Sequence, residues 1–253
     1  MSSVEEMVRT GATRTAENGL VFAVVGSDGP GWGSLDRMVA TVPKPVVLRL
    51  GKTACYFVPW LLKQRRGVAI SSEAAAEGET RKELCHHLDI KPAGNLLLIS
   101  LNFYAEDMYG LAMEFFDKIA YVAALENPDR QDYRELLEKQ LAAEKAGELT
   151  PEAWEWRTET LTRRRDESLD PETESNYQRA AEADALGVYM ASLFTDIFYE
   201  DLVADHDGFT PLPADQLYER VRTLERLYPP NRGYSLQIVR QRPRRRSSAH
   251  KQG

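Results

Sequence analysis

The chain has 253 residues, of which 43% are hydrophobic and 28% are charged, and its formal net charge is −7. Such a chain can bury the core of one large domain or two small ones, which excludes a fold that depends on disulfides. Two cysteines, Cys55 and Cys85, are too few for a disulfide framework, and the N-terminal residues do not resemble a secretory signal. The longest apolar runs are far shorter than the roughly 20 residues that span a bilayer. We therefore expect a soluble protein of the cytoplasm or another reducing compartment, without membrane insertion.

Residues 1–126 alternate between β-favouring and helical segments. Residues 1–18 are expected to form a loose arm or a short helix. Residues 20–25 are a continuous run of β-formers and predict the first strand. A short helix is expected at 34–42, and the prolines that follow it are expected to separate it from a second strand at 46–50.

The segment after the second predicted strand has two interpretations. Residues 53–58 are rich in β-formers, and residues 51–52 could join them to the preceding strand as a type II′ hairpin. Alternatively, residues 53–66 form a helix that kinks at Pro59 and leads to a third strand at 67–71. The hairpin implies a mixed or antiparallel sheet, whereas the helix implies the strand and helix alternation of a parallel sheet.

The last part of this region indicates a layered core. Residues 73–88 have the composition of a helix, and residues 106–126 carry apolar side chains at helical spacing. Residues 95–103 read as a buried strand that is apolar on both alternating faces, as in a sheet covered on both sides. We therefore predict an α/β fold with a mixed, mostly parallel sheet and flanking helices, and we keep an α+β fold as the alternative.

Residues 127–239 are predicted to be mainly helical and to pack on this core. Thr150 and Asp170 each precede a proline, which is typical of a helix start. The helix that begins at Asp170 becomes strongly apolar on one face over residues 186–198, so it must pack on a large surface. Another amphipathic helix and a final strand at 234–239 are expected to follow.

The C-terminal tail, residues 240–253, differs from the rest of the chain in charge. It contains six cations and no anion: Arg240, Arg242, Arg244, Arg245, Arg246 and Lys251. Without these six charges, the net charge of −7 becomes −13 for the remaining residues. We expect a disordered tail that contacts nucleic acid through phosphates and without sequence preference, and the alternative is a solvated tail that only improves solubility.

A glycine-rich turn after the first strand is the best candidate for a ligand site. A strand, a flexible turn and a helix start can together present backbone N–H groups to a phosphate, with Arg49 or Lys52 assisting. The glycine spacing differs from the G-x-G-x-x-G fingerprint of dinucleotide-binding folds. The alternative is a surface turn whose glycines supply positive φ angles. The candidate residues in the turn are Gly26, Ser27, Asp28, Gly29, Gly31 and Gly33.

Three further motifs lack the spacing that their chemistry requires. Gly51-Lys52-Thr53 resembles the end of a phosphate-binding loop, but Val46 stands where the first glycine belongs. Cys85-His86-His87 lie on a predicted helix, where consecutive side chains point about 100° apart and cannot converge on one ion. Asp205-His206-Asp207-Gly208 does not match a calcium loop. No metal site, cofactor or catalytic residue is therefore predicted.

Two tryptophans among charged residues suggest a surface that binds another protein. Trp154 and Trp156 lie on a helix that is otherwise polar, and exposed aromatic residues are typical anchors at interfaces. The leading hypothesis is a non-catalytic interaction or assembly protein with a protein partner or a second copy, whose tail contacts nucleic acid through Arg242, Arg244, Arg245 and Arg246. The alternative is an enzyme or sensor that binds a nucleotide or another phosphorylated ligand at the glycine-rich turn.

Overall fold

A computed structural model shows a mixed α/β half followed by a mainly helical half, as predicted from the sequence. No helix among the described residues is long and apolar enough to cross a membrane. The structure describes residues 12–25, 32–64, 67–71, 81–83, 85–90, 94–101, 107–125, 131–143, 147–203, 208–236 and 238–239.

The secondary structure of the described residues is as follows. The strands are β1 (Arg14–Thr15), β2 (Val21–Val24), β3 (Thr53–Val58), β4 (Trp60–Gln64), β5 (Gly67–Ser71), β6 (Arg81–Glu83), β7 (Cys85–Ile90), β8 (Gly94–Ser100), β9 (Ile197–Phe198) and β10 (Ile238–Val239). The helices are α1 (Trp32–Thr41), α2 (Lys44–Leu50), α3 (Met108–Leu125), α4 (Gln131–Leu141), α5 (Pro151–Arg165), α6 (Pro171–Phe194), α7 (Tyr199–Leu202) and α8 (Ala214–Leu227).

The main sheet of the described chain has five strands in the order β1-β2-β3-β8-β7. Its central strands β2, β3 and β8 are parallel, whereas β1 and β7 pair antiparallel with their neighbours at the two edges. Cys55 in β3 lies opposite Phe22 on one side and Leu97 on the other. The mixed sheet predicted from the sequence is therefore confirmed, with parallel strands at its centre and antiparallel pairs at both edges.

Both faces of the main sheet are covered, but by different kinds of structure. On one face Phe57 and Leu97 join the apolar side chains of α1, α3 and α6. On the other face Tyr56 and Leu98 pack against Leu61 of β4, which belongs to an antiparallel sheet with the order β5-β4-β6. The apolar alternation on both faces of β8 therefore reflects helices on one side and a second sheet on the other.

The predicted second strand at 46–50 is wrong, because these residues belong to helix α2. Pro43 is the N-cap of this helix and Pro45 lies in its first turn, where a missing N–H costs nothing and a fixed φ angle favours the helix. Gly51 ends the helix with a φ of +56°. The predicted hairpin at 51–52 is therefore wrong, as is the helix at 53–66, whereas the strand at 53–58 is confirmed.

The predicted helix at 73–88 is also wrong in its described part. Residues 72–80 lie outside the described ranges, and the remainder forms β6 and β7. Strand β7 pairs with β8 along its whole length, from Cys85 opposite Ile99 to Ile90 opposite Gly94. Pairing with a buried neighbour thus overrides a composition that favours a helix.

A close approach of two backbones fixes the start of β8. Gly94 has a φ of +111°, and a Cβ at this position would lie 1.9 Å from the carbonyl oxygen of Lys52. The N–H of Asn95 donates to that same oxygen at 2.9 Å. Only glycine fits here without movement of the backbone.

The helical half packs on the sheet through a shared hydrophobic cluster. Leu186 of α6 and Leu224 of α8 belong to the same buried cluster as Phe57 of β3 and Phe115 of α3. Burying one such side chain contributes about 2 kcal/mol. The predicted helix at 106–126 is confirmed as α3. The predicted apolar face of α6 is buried up to Leu193, but the helix ends at Phe194, and Ile197–Phe198, which were expected to continue it, form β9.

The ends of the helical half agree with the sequence less completely. Thr150 and Asp170 are N-caps of α5 and α6, as predicted, and each side chain accepts a backbone N–H. The predicted strand at 234–239 is reduced to β10, which pairs parallel with β9 and not with an edge of the main sheet. The predicted loose arm or short helix at 1–18 is wrong in its described part, because Arg14–Thr15 form β1 and pair with β2 in the main sheet. Residues 1–11 and the predicted tail, 240–253, lie outside the described residues.

A buried ionic network stabilises the contact between the segment before α5 and helix α8. Arg220 binds Glu148 with two hydrogen bonds, Nη1 to Oε2 at 2.7 Å and Nη2 to Oε1 at 3.0 Å. Tyr177 donates to Glu148 at 2.9 Å, and Nε of Arg157 lies 3.7 Å from it. Gln140 accepts a further hydrogen bond from Arg220. Two buried guanidinium groups therefore share one buried carboxylate.

Candidate functional site

A cleft of about 790 Å³ opens between strand β7 and helices α3, α5 and α6. Helices α3 and α6 pack closely beside the cleft, because Gly187 of α6 lies against the backbone of Asp117 on α3. A Cβ at Gly187 would lie 3.4 Å from the Cα of Asp117. Roughly 300–1,000 Å³ is the usual size of a site for a small molecule. The cleft is therefore large enough for an organic ligand.

Asp184 of α6 lies on the wall of the cleft beside the N-terminus of α5. The hydroxyl of Thr150 donates to Oδ2 of Asp184 at 2.8 Å and accepts from the N–H of Ala153 at 3.2 Å. The helix cap thus fixes the orientation of the hydroxyl that binds the carboxyl group. Burial raises the pKa of Asp184 to about 8, and the negative charge of Asp117 adds to the effect.

This pKa determines the chemistry that Asp184 can perform. Because the pKa lies above neutral pH, the protonated form of Asp184 predominates near pH 7. A neutral carboxyl group can donate a hydrogen bond to a ligand or give up its proton to one. A cationic ligand would instead stabilise the ionised form.

Lys118 of α3 is held in the cleft by two carboxylates. Its Nζ lies 2.8 Å from Oδ2 of Asp117 and 3.8 Å from Oε1 of Glu114. Burial alone would lower the pKa of Lys118, but Asp117 and Glu114 outweigh it and the pKa is raised. Lys118 therefore keeps its positive charge, which is largely neutralised by its neighbours.

Strand β7 forms the opposite wall with Cys85 and His87. The alternation of a strand places these two side chains on one face and His86 on the other. His87 Nε2 lies 2.9 Å from Oδ1 of Asn95, and the His87 ring meets the ring of Tyr121 edge-on at 6.4 Å. Burial raises the pKa of Cys85, with a contribution from Glu114, so its thiol stays protonated and is a poor nucleophile.

The arrangement of these residues on a strand corrects the interpretation of 85–87 as part of a helix. Cys85 and His87 do point to the same side, unlike consecutive residues of a helix. Nevertheless, within the described part of the chain, no three His, Cys, Asp or Glu side chains are grouped so that they could hold a metal ion.

Aromatic and apolar side chains complete the cleft. Trp156 of α5 is half-buried in it, and Tyr121 and Leu125 of α3 are 42% and 40% exposed at its edge. Ala180 and Ala183 of α6 leave space between these walls. The combination of an apolar surface with a few fixed polar groups is typical of sites that bind small molecules.

The chain matches no known protein family, curated protein or solved structure. No relative therefore contributes to the functional proposal below.

The glycine-rich turn predicted as a ligand site is almost entirely outside the described residues. Gly26, Ser27, Asp28, Gly29 and Gly31 lie there, whereas Gly33 lies in the first turn of α1. The turn follows Val25, whose N–H bonds to the carbonyl of Phe57 near the carboxyl end of β3.

The two cations expected to assist this turn lie within the described residues. Lys52 precedes β3, which runs parallel to β2, so it lies at the opposite end of these strands from Val25. Arg49 is buried against the helical half, with Nη1 2.7 Å from Oε1 of Glu182 and its guanidinium 5.5 Å from the ring centre of Tyr228. Assistance of the turn by either cation stays a prediction from the sequence.

The tryptophans predicted to be exposed anchors are both half-buried within the chain. Trp154 packs beside Phe209, with ring centres 6.2 Å apart, and Trp156 lines the cleft. The motif at 205–208 is described only at Gly208, and the tail residues Arg242, Arg244, Arg245 and Arg246 lie outside the described ranges.

The sequence did not single out Asp184 or Lys118 as site residues. Asp184 stands between Ala183 and Ala185 in the part of α6 that becomes apolar. Two acids at the start of an apolar stretch, Glu182 and Asp184, are the signal that could have identified it, because a buried carboxylate needs a partner or a proton. Its partner, Thr150, was recognised only as a helix cap.

Proposed function

We propose that the protein binds a small organic molecule in the cleft between β7, α3, α5 and α6, and acts on it as an enzyme or responds to it as a sensor. The observation that carries this proposal is the combination of a volume of about 790 Å³ with a carboxyl group, Asp184, that the protein holds at an unusual pKa inside it. Large clefts that contain perturbed titratable groups are enriched in functional sites.

The polar groups of the cleft are oriented by contacts within the protein. Thr150 is held as the cap of α5, and Lys118 is held by Asp117 and Glu114. Because these side chains are already fixed, less conformational entropy is lost when a ligand binds. Ligand binding was the alternative hypothesis from the sequence. The site that we propose for it is the cleft instead of the glycine-rich turn.

A screen of fragments by ligand-observed NMR tests this function. The variant Ala180→Leu adds a side chain that occupies space in the cleft and preserves helix propensity. The matched control is Ala142→Leu, an alanine exposed to solvent just after α4. Fragments that bind the natural protein should bind Ala142→Leu equally and Ala180→Leu at least about tenfold more weakly. Equal binding to all three proteins, or binding to none, would contradict the proposal.

Interaction with a protein partner or a second copy stays a prediction from the sequence. Its original basis, exposure of Trp154 and Trp156, is weakened because both rings are half-buried within the chain. Nonspecific contact of the tail with nucleic acid likewise stays a prediction.

A further inference from the structure

We infer that the cleft selects a ligand with a cationic amino group next to an aromatic or apolar body, with Asp184 as the counter-ion of the amino group. This inference rests on the proposed function, because it names the class of ligand for the same cleft. The charges around the cleft, the position of Trp156 and the environment of Asp184 support it independently of one another.

The charges that line the cleft favour a cation. Lys118 is already paired with Asp117 at 2.8 Å and approached by Glu114 at 3.8 Å, so this group of three carries a net negative charge. Arg179 is held by a hydrogen bond to Oδ1 of Asn176. Asp184 and Glu152 add two further carboxyl groups to the walls. With Asp184 protonated, the three acids Glu114, Asp117 and Glu152 exceed the two bases Lys118 and Arg179 by one charge, and this excess raises the local concentration of cations.

The position of Trp156 relative to Asp184 indicates the shape of the ligand. Asp184 is bound to Thr150 at the N-terminus of α5, and Trp156 lies six residues further along, about 9 Å at 1.5 Å per residue. Both side chains line the cleft. A ligand with an amino group beside an aromatic or apolar body can therefore contact the indole while its ammonium reaches the carboxyl group. The exposed ring of Tyr121 offers a second aromatic surface, which attracts a cation.

The surroundings of Asp184 favour its neutral form and would leave an ionised carboxylate largely uncompensated without a ligand. The charged groups that act on it are Asp117 from α3, Glu148 from the segment before α5 and Arg220 from α8. Arg220 is already bound bidentately by Glu148, so it does not pair with Asp184. An ammonium group in the cleft would supply the missing positive charge, and Asp184 would release its proton when the ligand binds.

Three phenyl compounds of similar size and different charge test the inference. These are 2-phenylethylamine, 2-phenylethanol and 3-phenylpropanoate, titrated by calorimetry into the natural protein at neutral pH. The amine should bind at least about tenfold more tightly than the alcohol and the acid, because a charge-assisted hydrogen bond is stronger than a neutral one. Its binding enthalpy should also depend on the ionisation enthalpy of the buffer, since a proton is released.

Two variants show whether Asp184 is responsible. Asp184→Asn keeps the shape and an acceptor for Thr150 but removes the charge, and it should weaken the amine about tenfold or more while leaving the alcohol unchanged. Glu152→Gln removes an exposed carboxylate at the same cleft and should change amine binding less than about threefold.

The possible outcomes separate the inference from the proposed function. Tightest binding of the acid, or equal binding of amine and alcohol, overturns the inference and leaves the cleft as a ligand site. Preference for the amine that survives in Asp184→Asn overturns the role of Asp184. Binding of none of the three probes overturns the inference, whereas the proposed function is decided by the fragment screen with Ala180→Leu and Ala142→Leu.

Discussion

Replacement of Glu148 by glutamine should destabilise the protein far more than the same change at Glu138. Both glutamates accept two hydrogen bonds from one arginine, at 2.7 and 3.0 Å for Glu148 and at 2.7 Å twice for Glu138. The pairs differ in burial, since the side chains of Glu148 and Arg220 are 0% and 1% exposed and those of Glu138 and Arg164 are 36% and 33% exposed. The pairs also differ in partners, because Arg157 shares Glu148 with Arg220 whereas Arg164 is also paired with Glu174 at 3.1 Å.

The expected magnitude follows from the charges that each substitution leaves behind. Glu148→Gln leaves the guanidinium groups of Arg220 and Arg157 buried without an anion, and an uncompensated buried charge costs about 3–5 kcal/mol. Glu138→Gln breaks a pair that water already screens, which costs less than about 1 kcal/mol. For a chain of this size, about 2–4 °C of melting temperature corresponds to each kcal/mol, so Glu148→Gln should lower it by roughly 10 °C.

Urea unfolding followed by circular dichroism, together with scanning calorimetry, measures both variants against the natural protein. Glu148→Gln should unfold at a much lower urea concentration, and Glu138→Gln close to the natural protein. If the two variants were equally stable, burial would not govern the strength of these ion pairs and the account of the network would be wrong.

Three further predictions concern the strand start at Gly94, the carboxyl group of the cleft and the two cysteines. Gly94→Ala should destabilise the protein more than Gly51→Ala in urea unfolding. Both glycines have a positive φ, which costs alanine about 1 kcal/mol, but only at Gly94 would the new Cβ meet a backbone oxygen. Equal losses would show that the close approach is unimportant. The pKa of Asp184 is raised from 3.8 to about 8, so between these pH values the folded state holds a proton that the unfolded state has lost. The free energy of unfolding therefore falls as pH rises through this range, by at most about 1.4 kcal/mol per pH unit. The stability of Asp184→Asn relative to the natural protein should therefore increase from pH about 5 to about 8; a constant difference across this range would mean that the pKa is not raised. Burial raises the pKa of Cys55 to about 12 and also raises the pKa of Cys85. Iodoacetamide should therefore label neither thiol rapidly in the native protein, but should label both after unfolding in guanidinium, as measured by mass spectrometry. Rapid labelling of the native protein would refute this.

Elements with a strong local pattern were predictable from the sequence. The continuous β-run of β2, the two-sided apolar run of β8 and the helical spacing of α3 each match the structure. The caps Thr150 and Asp170 were also recognisable, because an N-cap followed by proline satisfies the needs of a first helical turn within a few residues.

Elements that depend on distant contacts were not predictable. Proline both ends and begins helices, so Pro43 and Pro45 could not show that α2 follows them. Strand β7 exists because β8 offers it a paired edge, and this information is not present in the helix-favouring composition around it.

The site itself could not be predicted, because its residues come from four separate elements. Asp184, Lys118, His87 and Trp156 have no common spacing in the chain, and the cleft forms only when α3, α5 and α6 pack beside β7. Sequence motifs detect sites within one strand and turn, which is why the glycine-rich turn attracted attention and the cleft did not.

A crystal structure of the protein soaked in 2-phenylethylamine tests the central claim most directly. We predict that the compound occupies the cleft, with its ring against Trp156 and its ammonium within hydrogen-bonding distance of Asp184. Density for the compound elsewhere on the protein, with only solvent in the cleft, would contradict the claim that this cleft is the ligand site.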